Sequence, residues 1–428
     1  MIKDLSFPAG LQLLTDWQSG DAFAKSRLKE IFDAALNGDI DANFASPAPI
    51  NAVNTGGSVN LLTLTIMHDL YGLDSGEFYK GDAKRYVRTT LLTRRLIGMN
   101  KLYMSWPVYA FAAEALGQVM MYPDKFPPGS DPEITLINKD NFKSRLATPD
   151  FSSGIPELID DIIRFTETLT GLEPVLHLSA PYSLAADIYG QEPLLADLVN
   201  DAGFANQLLD HIVDTVHQPW IEHFFARFPN GWVELSDASG SPFFIGPENC
   251  KTVAIRAIKR LVDENPWGPR VYDCNYRGDY VTQARKKTRG RRKAAPDSGI
   301  DIQELTDLKH SVCPEFIIRL DDDRVDLGFY ADQAIQRNVP LFTGIGVSQI
   351  DRNSIADLEL AKQDITQVAT QSVEAIKTVA KTIHANGYTG TLQPWPGTVY
   401  FEDISSEAQF DLIELIIDEA HKNGGLQL

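Results

Sequence analysis

The chain has 428 residues, of which 43% are hydrophobic and 23% charged, with a formal net charge of −19 and three cysteines. That is the composition of a folded globular protein, and three cysteines are too few for a disulfide framework. The acidic balance excludes nucleic-acid backbones and anionic membranes as natural partners, and the absence of an apolar leader or membrane-length run sets a cytoplasmic expectation.

In chain order, "GDAFAKSRLKEIFDAAL" and "DAKRYVRTTLLTRRLIGM" show apolar residues at helical spacing. Between them, residues 41–60, "DANFASPAPINAVNTGGSVN", read as an ordered loop. From about residue 100 onward, short apolar runs alternate with longer amphipathic segments. The expected strands are "LYMSWPVYAF", "EPVLHLSAP", "GWVELSDA", "RVYDCNY", "EFIIRLDD", "PLFTGIG" and "GTLQPWPG". Helices are expected between them, notably at residues 194–228 and at 362–387, the latter stopped by Asn386-Gly387.

Strands that alternate with helices imply parallel pairing through βαβ crossovers. Seven strands over this span suit an α/β fold of the (β/α)8 TIM-type barrel class, residues 85–428, behind a helical N-terminal extension, residues 1–84. A doubly wound sheet is the runner-up, and no Gly-x-Gly-x-x-Gly supports it.

In such a barrel the chemistry sits at the C-terminal strand ends. Those ends supply Trp106, His177, Asp237, Cys274 with Asn275, Asp321 to Asp323, Gly344 to Gly346, and Gln393 to Gly397. Asp237 in "VELSDASGSPFF" is the leading candidate for a general acid, a base or a charge stabiliser. Its structural alternative is a carboxylate that caps the next turn. His177, flanked by Leu176 and Leu178, reads as an interior histidine or a substrate contact, and Tyr182 lies just beyond the strand.

Cys274 can bind zinc only with partners. His310 and Cys313 in "HSVC" have tempting spacing, but they end a helix and should face the opposite end of the barrel. "GIGVSQIDRN" can cradle a phosphate or form an ordinary turn. The "LQPWPGT" stretch, with Gln393 and Trp395, can wall an apolar pocket or act as a stiff connector. "ARKKTRGRRKAA", residues 284–295, is a basic segment without interleaved aromatics, so it reads first as a solvated insertion.

Taken in order, "WPVYAFAAEALGQ", "EPVLHLSAPYSLAADIYG", "WVELSDASGSPFFIGPE", "VYDCN", "IIRLDDDRVDL", "LFTGIGVSQID" and "ISSEAQFDLIELIIDEAHKNGG" resemble the uroporphyrinogen decarboxylase superfamily. The resemblance runs from about residue 85 to 425. It implies a (β/α)8 barrel and, by analogy with the decarboxylases, a homodimer. The superfamily also contains zinc-dependent, cobamide-linked methyltransferases.

The decarboxylase branch carries an Arg-Gln-Ala-Gly-Arg type motif for a carboxylate-rich porphyrinogen. This chain has Arg85, Arg88, Arg94 and Arg95, but not that motif. The methyltransferase branch carries His-x-Cys and a late Cys as zinc ligands. Here the first motif reads Tyr272-Asp273-Cys274 and the late Cys is missing near "QPWPG". The usual zinc site is therefore not expected, and Cys274 would need an atypical ligand set to hold a metal.

The resemblance thus implies a divergent member that transfers or removes a methyl group of a small methylated substrate, with a separate corrinoid protein as acceptor. Asp237, Cys274 and Tyr272 would be the catalytic candidates, and Trp106, His177, Tyr182, Arg277, Gln393 and Trp395 would line the substrate. The basic segment would dock an acidic corrinoid partner. Two alternatives stand beside this: a decarboxylase using Asp237 with Arg277 as the carboxylate clamp, and a barrel that has lost catalysis and only binds.

Overall fold

The computed structural model describes residues 7–44, 51–102, 104–273, 301–312, 318–319, 326–389 and 397–426. The fold is mixed α/β, rich in helix, with parallel sheets. In one sheet β4 (Val175–Ser179), β5 (Trp232–Ser236) and β6 (Val271–Asp273) lie side by side. The other has the order β1 (Asn54–Gly57), β9 (Gly397–Phe401), β8 (Leu341–Ile345), β7 (Ile318–Arg319). All these pairings are parallel. A small antiparallel hairpin, β2 (Met120–Met121) with β3 (Gly129–Ser130), stands apart.

Helices separate the parallel strands, and their starts explain part of the acidic balance. Among the described residues, Asp21, Asp74, Asp82, Asp201, Asp301, Asp326 and Asp357 each precede a helix and accept an amide of its first turn. A carboxylate there satisfies orphan N–H groups and meets the positive end of the helix dipole. Helices end at Gly72, Gly98 and Gly171, all left-handed.

The expected strands at 173–181, 231–238, 270–276 and 340–346 contain β4, β5, β6 and β8, and β7 falls within 315–322. Three expectations need correction. Residues 41–60 are not all loop, because they contain β1, which hydrogen-bonds to β9. The segment 102–111 carries no strand ladder among its described residues; a helix, Val108–Ala115, starts after Pro107. The long helix expected at 194–228 is several pieces, including a π-helical turn at Val213–His217.

β1 escapes a propensity reading because "NTGG" holds residues that strands disfavour. Its glycines are there for close approach. A Cβ on Gly57 would lie 2.2 Å from the Phe401 carbonyl oxygen, at φ +149°. Among the described residues no helix is long and apolar enough to cross a membrane.

Candidate active site

The parallel register aligns His177 with Glu234, and Glu234 with Tyr272. Alternation along a strand therefore puts these three side chains in one row on one face. The Tyr272 hydroxyl donates to Glu234 Oε2 at 2.9 Å, and His177 Nδ1 lies 3.5 Å from the same oxygen. Trp106 meets the His177 ring edge to face, 5.1 Å between centroids. All four residues are buried. The row fixes His177 by packing on one side and by a carboxylate on the other.

Asp237 follows β5 and is buried. Its Oδ1 accepts from Ser183 N (3.2 Å), Ser183 Oγ (2.8 Å) and Gly240 N (3.2 Å). Ser183 Oγ also accepts from Ser239 N at 3.1 Å. The carboxylate thus closes its own turn and ties the loop after β5 to the helix Pro181–Tyr189. This is the geometry of the capping alternative. Burial pushes the Asp237 carboxyl up, against the lowering influence of its hydrogen-bond donors. Gly240 has to be glycine, since a Cβ there would fall 2.3 Å from Asp237 Oδ2. Tyr182 is fully buried beside this loop, and its hydroxyl has no partner among the described residues. Burial first, and then the Asp237 charge, raise its phenol.

Two acids not singled out in the sequence stand near this end of the strands. Asp403 lies two residues beyond β9 and accepts from the Ser58 hydroxyl and from the amides of Leu61 and Ile404. Asp187 lies on the helix Pro181–Tyr189. Burial pushes each carboxyl up to about 7. Tyr109, in the first turn of the helix Val108–Ala115, feels both charges. Each acid could have been found in the sequence: Asp187 interrupts the otherwise apolar helix "PYSLAADIY", and Asp403 sits just past a strand end. Glu234, an acid at an alternating position of "WVELS", carried the same kind of signal.

A further feature unites these residues. Buried polar atoms normally find hydrogen-bond partners. Here Trp106 Nε1, Ser179 Oγ, Tyr182 Oη, Asp187 Oδ2, Ser241 Oγ and Asp403 Oδ1 are enclosed without one among the described residues. All lie on or just beyond C-terminal strand ends, on the segment leading into the helix Val108–Ala115, or on the helix Pro181–Tyr189.

Of the residues expected from sequence, the structure brings Trp106, His177 and Tyr272 together and places Asp237 beside Tyr182's helix. Cys274, Arg277, Gln393, Trp395, Asn275, Cys313, Asp321 to Asp323 and the basic segment 284–295 lie outside the described residues. His310 ends the helix Ile302–His310, as read from sequence. Among the described residues no three His, Cys, Asp or Glu side chains are grouped as metal ligands.

No family model matches the sequence, and no curated protein matches it. Among solved structures, a methyltransferase from Methanosarcina mazei is similar in fold. The TM-score is 0.52, and the match covers 91% of this chain and 98% of that one at 12% identity. At that identity the likeness is one of fold.

Proposed function

We propose that the chain is a methyl-transfer enzyme, a divergent member of the uroporphyrinogen decarboxylase superfamily that acts on a small methylated substrate and passes the methyl group to a corrinoid protein. In this reading the two parallel sheets are arcs of one (β/α)8 barrel. Three observations support it. Strand neighbours follow chain order in each arc, with β1 closing onto β9. Trp232 and Tyr272 from one sheet share an apolar cluster with Phe342 and Tyr400 from the other. The fold is also shared with a methyltransferase over nearly the whole chain.

The observation that carries the functional reading is the set of enclosed polar atoms at or beyond C-terminal strand ends, Ser179 Oγ after β4, Ser241 Oγ after β5 and Asp403 Oδ1 after β9, that have no hydrogen-bond partner among the described residues. Leaving such groups unpaired costs about 1–3 kcal/mol each unless a ligand or water completes them. This end is where barrels of this class keep their substrates. Asp187, Asp403 and Tyr109 then contact substrate, and the row Trp106–His177–Glu234–Tyr272 supports the pocket. Asp237 is a positioning residue that holds the loop after β5. Among the described residues no three His, Cys, Asp or Glu side chains form a zinc ligand set, and Cys274 lies outside them.

Methyl transfer is preferred to decarboxylation of a carboxylate-rich substrate because the N-terminal arginines are already engaged. Arg88 grips Asp41 through two bonds, at 2.9 and 2.7 Å. Arg94 donates to the Gly57 and Lys101 carbonyls, Arg85 to Glu77 O, and Arg95 to Asn43 O. The test is a product screen by mass spectrometry with methylated amines, ethers and thioethers, alongside a carboxylate panel. Demethylated product that depends on a reduced corrinoid acceptor is the expected result. Carbon dioxide release without methyl transfer would overturn the reading in favour of decarboxylation.

A further inference from the structure

The sheet β1–β9–β8 carries on one face a buried polar group that the candidate active site does not use. Asn54 is in register with Thr398, and Thr398 with Phe342, so these three side chains share that face. Lys101 crosses the same face. Its backbone is held beside β1, donating to Thr55 O at 3.0 Å, and Thr55 N donates to Asn100 Oδ1 at 2.8 Å. Gly56, two residues on from Asn54, is on the same side of the sheet. A Cβ there would lie 3.3 Å from Lys101 Cβ, 3.5 Å from Lys101 Cδ and 3.5 Å from Thr398 Cγ2. The glycine thus leaves room for the lysine stem, which runs beside the Thr398 side chain. The stem ends with Nζ 3.8 Å from the centroid of the Phe342 ring.

Register and distance therefore bring the Asn54 amide, the Thr398 hydroxyl and the Lys101 ammonium to one place. All three residues are buried, Asn54 and Thr398 completely. Asn54 Oδ1, Asn54 Nδ2 and Thr398 Oγ1 have no hydrogen-bond partner among the described residues. Burying an amide and a hydroxyl unpaired is costly, so native folds complete such groups with a ligand or with ordered water. The donors decide between the two. The amide has two N–H groups, the hydroxyl one O–H and the ammonium three N–H groups, so the ammonium can serve a ligand alongside another partner. Several donors around a positive charge are best met by an acceptor that carries negative charge.

We propose that Lys101, Asn54 and Thr398 form an internal binding site for a small monoanion of the size of formate. The site is independent of the methyl-transfer reading and stands or falls without it.

The experiment is thermal unfolding of the full chain at constant ionic strength, with sodium gluconate replaced stepwise by sodium formate. Gluconate is a monoanion too large for an enclosed site, and formamide is the uncharged control of similar size. Formate raises the unfolding midpoint saturably, by about 2 °C or more, and formamide does not. Lys101→Met keeps the stem over Gly56 and abolishes the formate-dependent shift. Thr398→Val keeps the side-chain shape without the hydroxyl and reduces the shift by about half or more. Each variant is compared with itself in the two salts, so a lower basal stability does not enter.

No formate-dependent shift in the wild type would mean that water alone completes these atoms, and would overturn the inference. So would a shift that formamide reproduces, or one that is unchanged in Lys101→Met and Thr398→Val, which would put the anion elsewhere on the molecule. If Lys101→Met does not fold, Thr398→Val decides: an undiminished shift in it overturns the inference. Binding is read without turnover, so loss of this site leaves the functional reading untouched, and absence of methyl transfer leaves this site untouched.

Discussion

Glu234 is the residue whose loss should be felt most widely, because one carboxylate oxygen serves both the Tyr272 hydroxyl and His177 Nδ1. Glu234→Ala removes the acceptor that both share inside the fold, and should cost about 3 kcal/mol in urea unfolding. Glu234→Gln keeps an acceptor for Tyr272 and should cost clearly less. A second prediction concerns pH. The folded-state carboxyls of Asp187 and Asp403 stand at about 7, above their ordinary range. The folded protein therefore binds those protons more tightly than the unfolded chain does. Their contribution to stability is fully present below about pH 4 and is lost as pH rises through about 7. Unfolding midpoints of Asp187→Asn/Asp403→Asn should fall less than wild type over that interval. A wild-type profile indistinguishable from the double variant would refute the assignment.

At the scale of elements, the loop after β5 and the helix Pro181–Tyr189 are held together by Asp237 Oδ1. Asp237→Ala removes three hydrogen bonds from a buried turn and should destabilise by about 2–4 kcal/mol, while Asp237→Asn keeps the accepting oxygen and costs less. Gly57→Ala should cost about 2 kcal/mol or more, since the new methyl group meets the β9 backbone. Both are checked by chemical denaturation. Strands β4, β5 and β8 were legible in sequence because apolar residues cluster between turn signals. β1 was not, because Asn54, Gly56 and Gly57 are chosen for contact with neighbouring backbone and not for strand propensity. β9 was missed because Gly397 to Phe401 follow "QPWP", which drew the expected strand upstream. In the candidate site, His177 and Tyr272 were legible by strand position, whereas Trp106 was reached through a strand expected at 102–111 that its described residues do not form. Asp187 and Asp403 carried a positional signal, an acid in an apolar helix and an acid just past a strand end, but the enclosure of their carboxyl oxygens comes only from packing between distant segments.

At the scale of the molecule, the site is assembled from segments far apart in the chain: Ser58 and Asn60 near β1, Tyr109, Asp187, and Asp403 beyond β9. Tyr86 links several of these, donating to Asn60 Oδ1 at 3.1 Å and to the Ser105 carbonyl. Parallel strands separated by helices bring such distant residues to a common end, and a fold of this kind is shared here at 12% identity. The tyrosine at position 272, where the methyltransferase motif would have histidine ahead of Cys274, is then compatible with a different way of presenting a methyl group. The most direct test of the account is the rate at which a deuterium-labelled methyl group leaves a small methylated donor for a reduced corrinoid acceptor. The account predicts turnover by the wild-type chain and a fall of at least about a hundredfold in Asp403→Asn. Turnover unchanged in Asp403→Asn, or a labelled donor left intact by the wild type, would contradict it.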